Sequence, residues 1–331
     1  MGIFMLLQDP PNHTRLRKLV SRAFTPRAID SWRARIEAIT ESLLDRVASQ
    51  GSMDLVADLA QPVPATLICE MLGVPAEDQS KFTEWTTDAT HGLVVVRGGG
   101  DEQIMRRVEV AGASLFNYFN ALIAERRGKE SDDLLSTLIT AEEEGEKLSE
   151  IELLSQSIGL LIAGFETTIG LIGNGLTTLI RNPDEIQKLR EHPELIESAV
   201  EECLRYSGPI TATVRVLHAD AQFGDYLIPD DSEVVALVGG ANRDPEVFDD
   251  PERFDITRYE KDKGTPAHFS FGGGVHFCLG AHLARLETQI AIGGLIQRFD
   301  NLELVNEKTE WGRSLFRVPG RIPVTFKESP A

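Results

Sequence analysis

The longest apolar stretch of the chain, from Ser149 to about Ile180, restricts the possible folds more than any other feature. Ser149 and Glu152 form a Ser-x-x-Glu capping box, which predicts the start of a helix. A helix of roughly thirty residues is about 45 Å long. Because it is apolar nearly all round, it must either cross a membrane or lie in the middle of a buried core. Burial is favoured, since no basic clusters flank the stretch and it contains polar side chains at Gln156, Glu166 and Asn174.

The overall composition argues against several kinds of partner. A formal net charge of −19 over 331 residues disfavours nonspecific nucleic-acid binding, which needs a basic surface, and a polybasic membrane patch. The cysteines Cys69, Cys203 and Cys278 are scattered, so no disulfide framework is implied and a reducing cytoplasm fits. The apolar N-terminus, Met1 to Leu7, lacks a basic n-region and is too short for a signal peptide or anchor. We therefore expect a cytoplasmic protein that binds neither nucleic acid nor membrane.

A glycine-rich stretch, Phe271 to Gly280, carries a single thiol, Cys278. Glycine has no Cβ, so this backbone can approach a bulky partner closely. The apolar segment Ala281 to Phe299 is predicted to be a helix, whose free N–H groups and positive dipole end favour the Cys278 thiolate. A structural cysteine in a glycine-rich turn explains the stretch as well. A phosphate loop is disfavoured because no Gly-Lys-Ser/Thr follows, and a zinc site because His276, Cys278 and His282 match no standard spacing.

Within the long helix, the segment Ala163 to Thr168 (Ala-Gly-Phe-Glu-Thr-Thr) interrupts the apolar pattern. The Thr167 hydroxyl can donate back to the carbonyl of residue 163 and distort the helix there, while Gly164 leaves the adjoining backbone bare. A buried acid, Glu166, beside a hydroxyl and a glycine suits proton delivery to a small bound molecule. A glycine-loosened helix with satisfied polar groups explains the same residues, so these residues alone leave both interpretations open.

Three motifs resemble those of the cytochrome P450 superfamily in its soluble bacterial form. The pattern F-x-x-G-x-H-x-C-x-G resembles the family's haem-binding signature and is highly specific; it is filled by Phe271, Gly274, His276, Cys278 and Gly280. Ala163 to Thr168 resembles the family's (A/G)-G-x-(D/E)-T oxygen-activation motif. Glu202-x-x-Arg205 resembles the E-x-x-R of the family's K helix.

The resemblance runs in the expected order from Asp9 to the C-terminus, which implies a single P450-like catalytic domain over residues 1–331. The family normally has a longer section before the C helix that Asp9 to Arg17 resembles, so we expect the N-terminal part of this domain to be missing. Alternating β-branched residues predict strands between Thr213 and Ile228, and Leu302 to Val305 and Ile322 to Phe326 are predicted to be short strands. The expected fold class is mainly α with small β-sheets, a long central helix and a cysteine-containing haem loop.

The resemblance further implies a haem b cofactor (iron protoporphyrin IX) with the Cys278 thiolate as axial ligand of the iron. The positions that match the family's cofactor-binding residues are His13, Arg17, Ala163, Gly164, Arg215, Phe271, Gly272, His276, Cys278 and Gly280. The four basic residues among them would neutralise the haem propionates. Glu166 and Thr167 would be the catalytic pair, and Arg253 would complete a structural charge triad with Glu202 and Arg205. The residues expected to line the substrate pocket are Leu160, Ala163, Ile210, Thr211, Leu315 and Phe316.

The implied reaction is a monooxygenation, in which one atom of dioxygen enters a small apolar substrate and the other leaves as water. No flavin or iron–sulfur sequence is fused to the chain, so the electrons would come from a separate ferredoxin and ferredoxin reductase. Two alternatives remain: a haem-binding protein without monooxygenase activity (a sensor or an inactive truncated form) and a peroxide-driven peroxygenase. The intact acid–threonine pair favours the monooxygenase, because a sensor has no need of proton delivery.

Overall fold

Helices make up most of the computed structural model, which describes residues 4–95, 102–129, 133–143, 148–312 and 316–328. The helices of the described residues are α1 (Asn12–Ser21), α2 (Pro26–Asp30), α3 (Arg33–Ala48), α4 (Pro62–Met71), α5 (Gln79–Val95), α6 (Glu102–Arg126), α7 (Leu134–Glu143), α8 (Glu150–Ile180), α9 (Pro183–Glu191), α10 (Ile196–Ser207), α11 (Val238–Ala241) and α12 (Ala281–Arg298).

Helix α8 is the long helix predicted from the apolar stretch. Its capping box is confirmed: the Glu152 N–H donates to the Ser149 hydroxyl at 3.3 Å, and the Ser149 N–H donates to the Glu152 carboxylate at 2.8 Å. Among the described residues, α8 is the one helix long and apolar enough to cross a membrane, but 78% of its most apolar 18-residue window is buried inside the protein. The prediction that α8 is a buried core helix is therefore confirmed.

The polar residues of α8 tie distant segments to it. The Gln156 side chain accepts a hydrogen bond from the Met5 N–H at 3.2 Å, and the Asn174 amide donates to the Arg317 carbonyl at 2.8 Å. At Gly170, an added Cβ would lie 2.7 Å from Pro209, which shows how closely the chain between α10 and the following strand approaches the helix. Helix α8 is thus wrapped by segments from both ends of the chain.

The strands are short and pair only antiparallel within the described residues. Their bounds are β1 (Ser52–Asp54), β2 (Thr213–Val216), β3 (Ala221–Phe223), β4 (Tyr226–Ile228), β5 (Glu233–Ala236), β6 (Phe299–Leu304), β7 (Glu310–Trp311), β8 (Pro319–Arg321) and β9 (Pro323–Glu328). One sheet has the order β1-β9-β6, and the other strands form the pairs β2–β5, β3–β4 and β7–β8. The strands predicted between Thr213 and Ile228 and near the C-terminus are confirmed, as is the mainly α fold class.

Helix α12 begins directly after the glycine-rich stretch and packs into the core. It carries a buried acid, Glu287, which is only 3% exposed. Burial raises the pKa of this carboxyl to about 8. The fold therefore favours the neutral form of Glu287, and ionisation of the carboxyl costs stability.

This cost makes the stability depend on pH. The destabilisation is absent below the ordinary pKa of 4.5, grows as the pH rises from 4.5 to about 8, and is complete above pH 8. We expect Glu287→Gln to raise the free energy of unfolding at pH 9 by on the order of 2–4 kcal/mol more than at pH 5. Urea titrations at both pH values measure this difference. Glu37→Gln, at an exposed position on α3, is the matched control; an equal pH dependence in both variants contradicts the assignment.

Candidate active site

The loop from Phe271 to Gly280 is held by its own backbone. The Cys278 N–H donates to the Phe271 carbonyl at 2.9 Å, which closes the loop around a short 3₁₀ turn, Gly274–His276. Gly272 and Gly274 have φ angles of 71° and 66°, in the left-handed region that favours glycine. Apart from its chain neighbours, a Cβ added at Gly272, Gly274 or Gly280 would meet no atom of the described residues within 4 Å. The loop therefore offers bare backbone on which a flat group could lie.

The electrostatics of Cys278 differ from the sequence-based expectation. Burial raises the pKa of the thiol, while a hydrogen bond from the Gly280 backbone and the charges of Arg17 and Arg285 act in the opposite direction without outweighing it. The predicted effect of the helix N-terminus is present, since the Gly280 N–H lowers the pKa of the thiol, but desolvation is the larger effect in the protein alone. A metal ion that coordinates the sulfur removes the thiol proton outright.

A charge cluster that sequence reasoning missed supports the loop. The Arg285 guanidinium of α12 lies 4.6 Å from the centre of the Phe271 ring and donates to Glu201 of α10 at 2.6 and 2.8 Å. His268 contacts the same carboxylate at 3.2 Å. Burial alone would raise the pKa of Glu201, but Arg285 and His268 lower it to about 2. The residues of this charge cluster are up to 84 positions apart in the sequence, so no local spacing could have revealed it.

The structure brings the four predicted basic residues together next to the loop. His13 of α1 is buried, and its ring centroid lies 4.2 Å from that of His276. Arg17, one turn further along α1, donates to the Phe277 carbonyl at 2.7 Å. The charge of Arg215, on β2, acts on His276. Residues from three separate parts of the chain thus converge on one place.

These like charges disfavour one another. Burial, His276 and Arg17 lower the pKa of His13, and burial, Arg215 and Arg17 lower the pKa of His276, with Asp9 opposing both shifts. Within the described residues, the buried Nδ1 atom of His13 has no hydrogen-bond partner. A cluster of this kind is stabilised by a bound anion, which would pair with the charges and give the buried nitrogen a partner.

In the middle of α8, the segment Ala163 to Thr167 is partly open. The Thr167 hydroxyl donates to the Ala163 carbonyl at 2.8 Å, which confirms the predicted back-bonding. Ala163 is exposed, and Gly164 and Thr167 are half-buried, although their neighbours Phe165 and Glu166 are buried. Residues 163, 164 and 167 share one face of the helix because a turn contains about 3.6 residues. This face combines a hydroxyl with the backbone of Gly164, where an added Cβ would lie 3.6 Å from Ile68, next to a buried acid.

Glu202 and Arg205 form a buried ion pair, as expected. The third residue of the predicted charge triad is not Arg253. Arg205 donates to Glu202 at 2.7 and 2.8 Å, and both side chains are fully buried. Arg258 makes the second ion pair with Glu202, at 3.2 Å. Arg253 is exposed and contributes only its carbonyl, which accepts from Arg205 and Arg258. The expectation for Arg253 is thereby corrected: it was wrong because sequence resemblance located the loop but not the side chain that turns inward.

The residues expected to line a substrate pocket fall into separate groups. Ile210 and Thr211 line a cavity of about 250 Å³. Leu160 is buried in α8 and Ala163 is exposed on it, and neither lines that cavity. Phe316 is half-buried, and Leu315 lies outside the described residues.

Comparison with known proteins identifies the family. The cytochrome P450 family profile matches residues 1–321. The chain is 45% identical to cytochrome P450 107B1 of Saccharopolyspora erythraea, over 92% of this chain and 72% of that protein. It is 40% identical to 6-deoxyerythronolide B hydroxylase of the same organism, over 93% and 74%. The structure of the bacillaene polyketide synthase cytochrome P450 PksS of Bacillus subtilis superposes with a TM-score of 0.91 at 39% identity, over 98% and 82%.

The chain belongs to the cytochrome P450 family and is a P450 monooxygenase. The family implies a haem cofactor, and three features of this structure fit one. A thiol lies on the loop of bare glycine backbone, a basic cluster leaves the His13 Nδ1 atom without a partner, and an open helix face carries Thr167.

The corrected charge network can be tested by comparing two arginines of one loop. We expect Arg258→Gln to lower the free energy of unfolding by about 2–3 kcal/mol, because it removes one partner of the buried Glu202 charge. Arg253→Gln should change it by less than about 0.5 kcal/mol, since only the carbonyl of that residue is used. Urea titrations of both variants measure the difference. A larger loss for Arg253→Gln would restore the original assignment.

Proposed function

We propose that this P450 binds haem b through the Cys278 thiolate and inserts one atom of dioxygen into a small apolar substrate. The observation that carries the proposal is the convergence of His13, Arg17, Arg215 and His276 beside the loop that bears Cys278. A cysteine ligand and a cationic cluster in one place suit an iron porphyrin, which presents a metal ion and two carboxylates. When bound, a haem with a thiolate ligand supplies the redox chemistry of O–O bond cleavage.

The four basic residues would hold the haem propionates by charge-assisted hydrogen bonds. A carboxylate next to His13 and His276 favours their protonated forms, so it reverses the downward pKa shifts that burial and neighbouring cations cause. Phe271, Gly272 and Gly280 would lie against the macrocycle, together with Ala163 and Gly164 of α8. In this arrangement the buried His13 nitrogen gains a partner.

Glu166 and Thr167 would carry protons to the bound dioxygen. Because the Thr167 hydroxyl donates its own proton to the Ala163 carbonyl, its oxygen can accept a hydrogen bond from a water molecule. Glu166, one residue earlier and buried, is the acid that would resupply protons. This pair supports a monooxygenase that uses dioxygen rather than a haem-binding sensor.

Electrons would come from a separate ferredoxin and its reductase, and the enzyme would work in the cytoplasm. The relative cytochrome P450 PksS carries a name from polyketide biosynthesis. Apolar substrates of that general kind are compatible with this chain, in which Ile210 borders the cavity near the α10–β2 connection.

The iron ligand can be tested by replacing the thiol. Cys278→Ser should abolish the thiolate-type absorption spectrum of the reduced carbon monoxide complex, because a serine hydroxyl cannot supply the anionic sulfur. Cys69→Ala, at a buried cysteine of α4, is the control and should keep the spectrum. An unchanged spectrum in Cys278→Ser excludes Cys278 as the ligand.

The role of Thr167 can be tested against a second threonine of the same helix. Thr167→Ala should uncouple reductant consumption from product formation, lowering the product yield per NADPH roughly tenfold by loss of a proton-transfer group. Thr177→Ala is closely matched, since the Thr177 hydroxyl also donates to a carbonyl one turn back, at 2.8 Å. Thr177→Ala should leave the yield unchanged. Intact coupling in Thr167→Ala removes this residue from the proton path.

A further inference from the structure

The cavity of about 250 Å³ lies where α10, the α10–β2 connection, α11 and the segment before β8 meet. It is smaller than the roughly 300–1,000 Å³ of a site that encloses a whole small molecule, so it suits one end of a larger ligand. Apolar and basic residues share its walls: Arg205, Tyr206, Gly208, Ile210, Thr211, Gly239, Asn242, Arg243 and Arg317.

Arg317 is held rigidly by its backbone, while its charge is left without an anion. Its N–H donates to the Pro209 carbonyl at 2.8 Å, and its own carbonyl accepts from Asn174 at 2.8 Å. The guanidinium lies 4.9 Å from the centre of the Trp311 ring, and within the described residues it makes no hydrogen bond or ion pair. Burial and the neighbouring charges of Arg243 and Arg181 lower the pKa of Arg317.

A second guanidinium, that of Arg243, lies on the same cavity wall. It donates to the Tyr206 carbonyl at 2.9 Å, stacks 4.2 Å from the centre of the Tyr206 ring, and pairs with Glu252. The Glu252 side chain is 69% exposed, so water screens its carboxylate and it neutralises the Arg243 charge only weakly. Arg205 contributes no further unneutralised charge, because its guanidinium already pairs with Glu202 and donates to three backbone carbonyls. The cavity therefore has an excess of positive charge.

We infer that Arg317 and Arg243 bind the carboxylate of an amphipathic substrate, whose apolar part passes Ile210 and Thr211. Paired guanidinium groups match the planar fork of a carboxylate and favour it over a neutral head group. The inference rests on the proposed function, since Ile210 and Thr211 belong to the predicted substrate pocket and Thr211 lies four residues before Arg215 of the basic cluster. It narrows the substrate class to apolar carboxylic acids.

Calorimetric titration of the haem-loaded enzyme tests this directly. We expect decanoate to bind about ten- to hundredfold more tightly than methyl decanoate or acetate, because only decanoate combines the charge with an apolar chain. Arg317→Gln should weaken decanoate binding by a similar factor and leave methyl decanoate unaffected. Arg27→Gln, at an exposed arginine of α2, is the matched control and should bind decanoate like the wild type.

Equal affinity for decanoate and its methyl ester in the wild type overturns the inference, and this comparison needs no variant. Unchanged decanoate binding in Arg317→Gln also overturns the inference. Acetate that binds as tightly as decanoate overturns it as well, because it would indicate a site for free small anions. The carbon monoxide spectrum of the same wild-type preparation separates the two proposals. A spectrum without thiolate character contradicts the proposed function, whereas the calorimetric comparison decides the carboxylate site.

Discussion

Burial of α8 is the constraint on which the rest of the structure depends. A helix of 31 residues that is apolar nearly all round is stable in water only if other segments cover it along its length. The Met5 backbone covers it at Gln156, and the residues around Arg317 cover it at Asn174. Packing around one helix therefore fixes segments from both ends of the chain, each at a different point along α8. It also leaves Ala163 exposed and Gly164 and Thr167 half-buried in the middle of the helix.

The candidate site follows from a balance of unfavourable terms in the protein. Burial makes the Cys278 thiolate costly, and burial and neighbouring cations make the protonated forms of His13 and His276 costly. One ligand that provides a metal ion for sulfur and carboxylates for the cations relieves both costs. This complementarity explains why residues from α1, β2 and the loop before α12 converge on one place.

The predictions that held are those with local causes or specific motifs. The capping box of Ser149 and the back-bonding of Thr167 depend on neighbours within a few residues, and the strands near Arg215 follow from a local alternation of β-branched residues. The net direction of the Cys278 pKa shift was not predictable, because sequence shows a helix start but not the desolvation that outweighs it. Arg258, the Arg285–Glu201 pair and the cationic cavity were not predictable, because they join residues far apart in the chain, and only packing selects the side chain that turns inward.

The central claim, a haem iron bound by Cys278, is tested most directly by vibrational spectroscopy with isotopically labelled sulfur. Resonance Raman spectra of the ferric protein, produced with ordinary cysteine and with ³⁴S-cysteine, should contain an iron–sulfur stretching band. We predict that this band shifts to lower frequency in the labelled protein, because the heavier sulfur vibrates more slowly. A haem-loaded protein whose low-frequency bands are identical in both preparations would contradict a cysteine ligand.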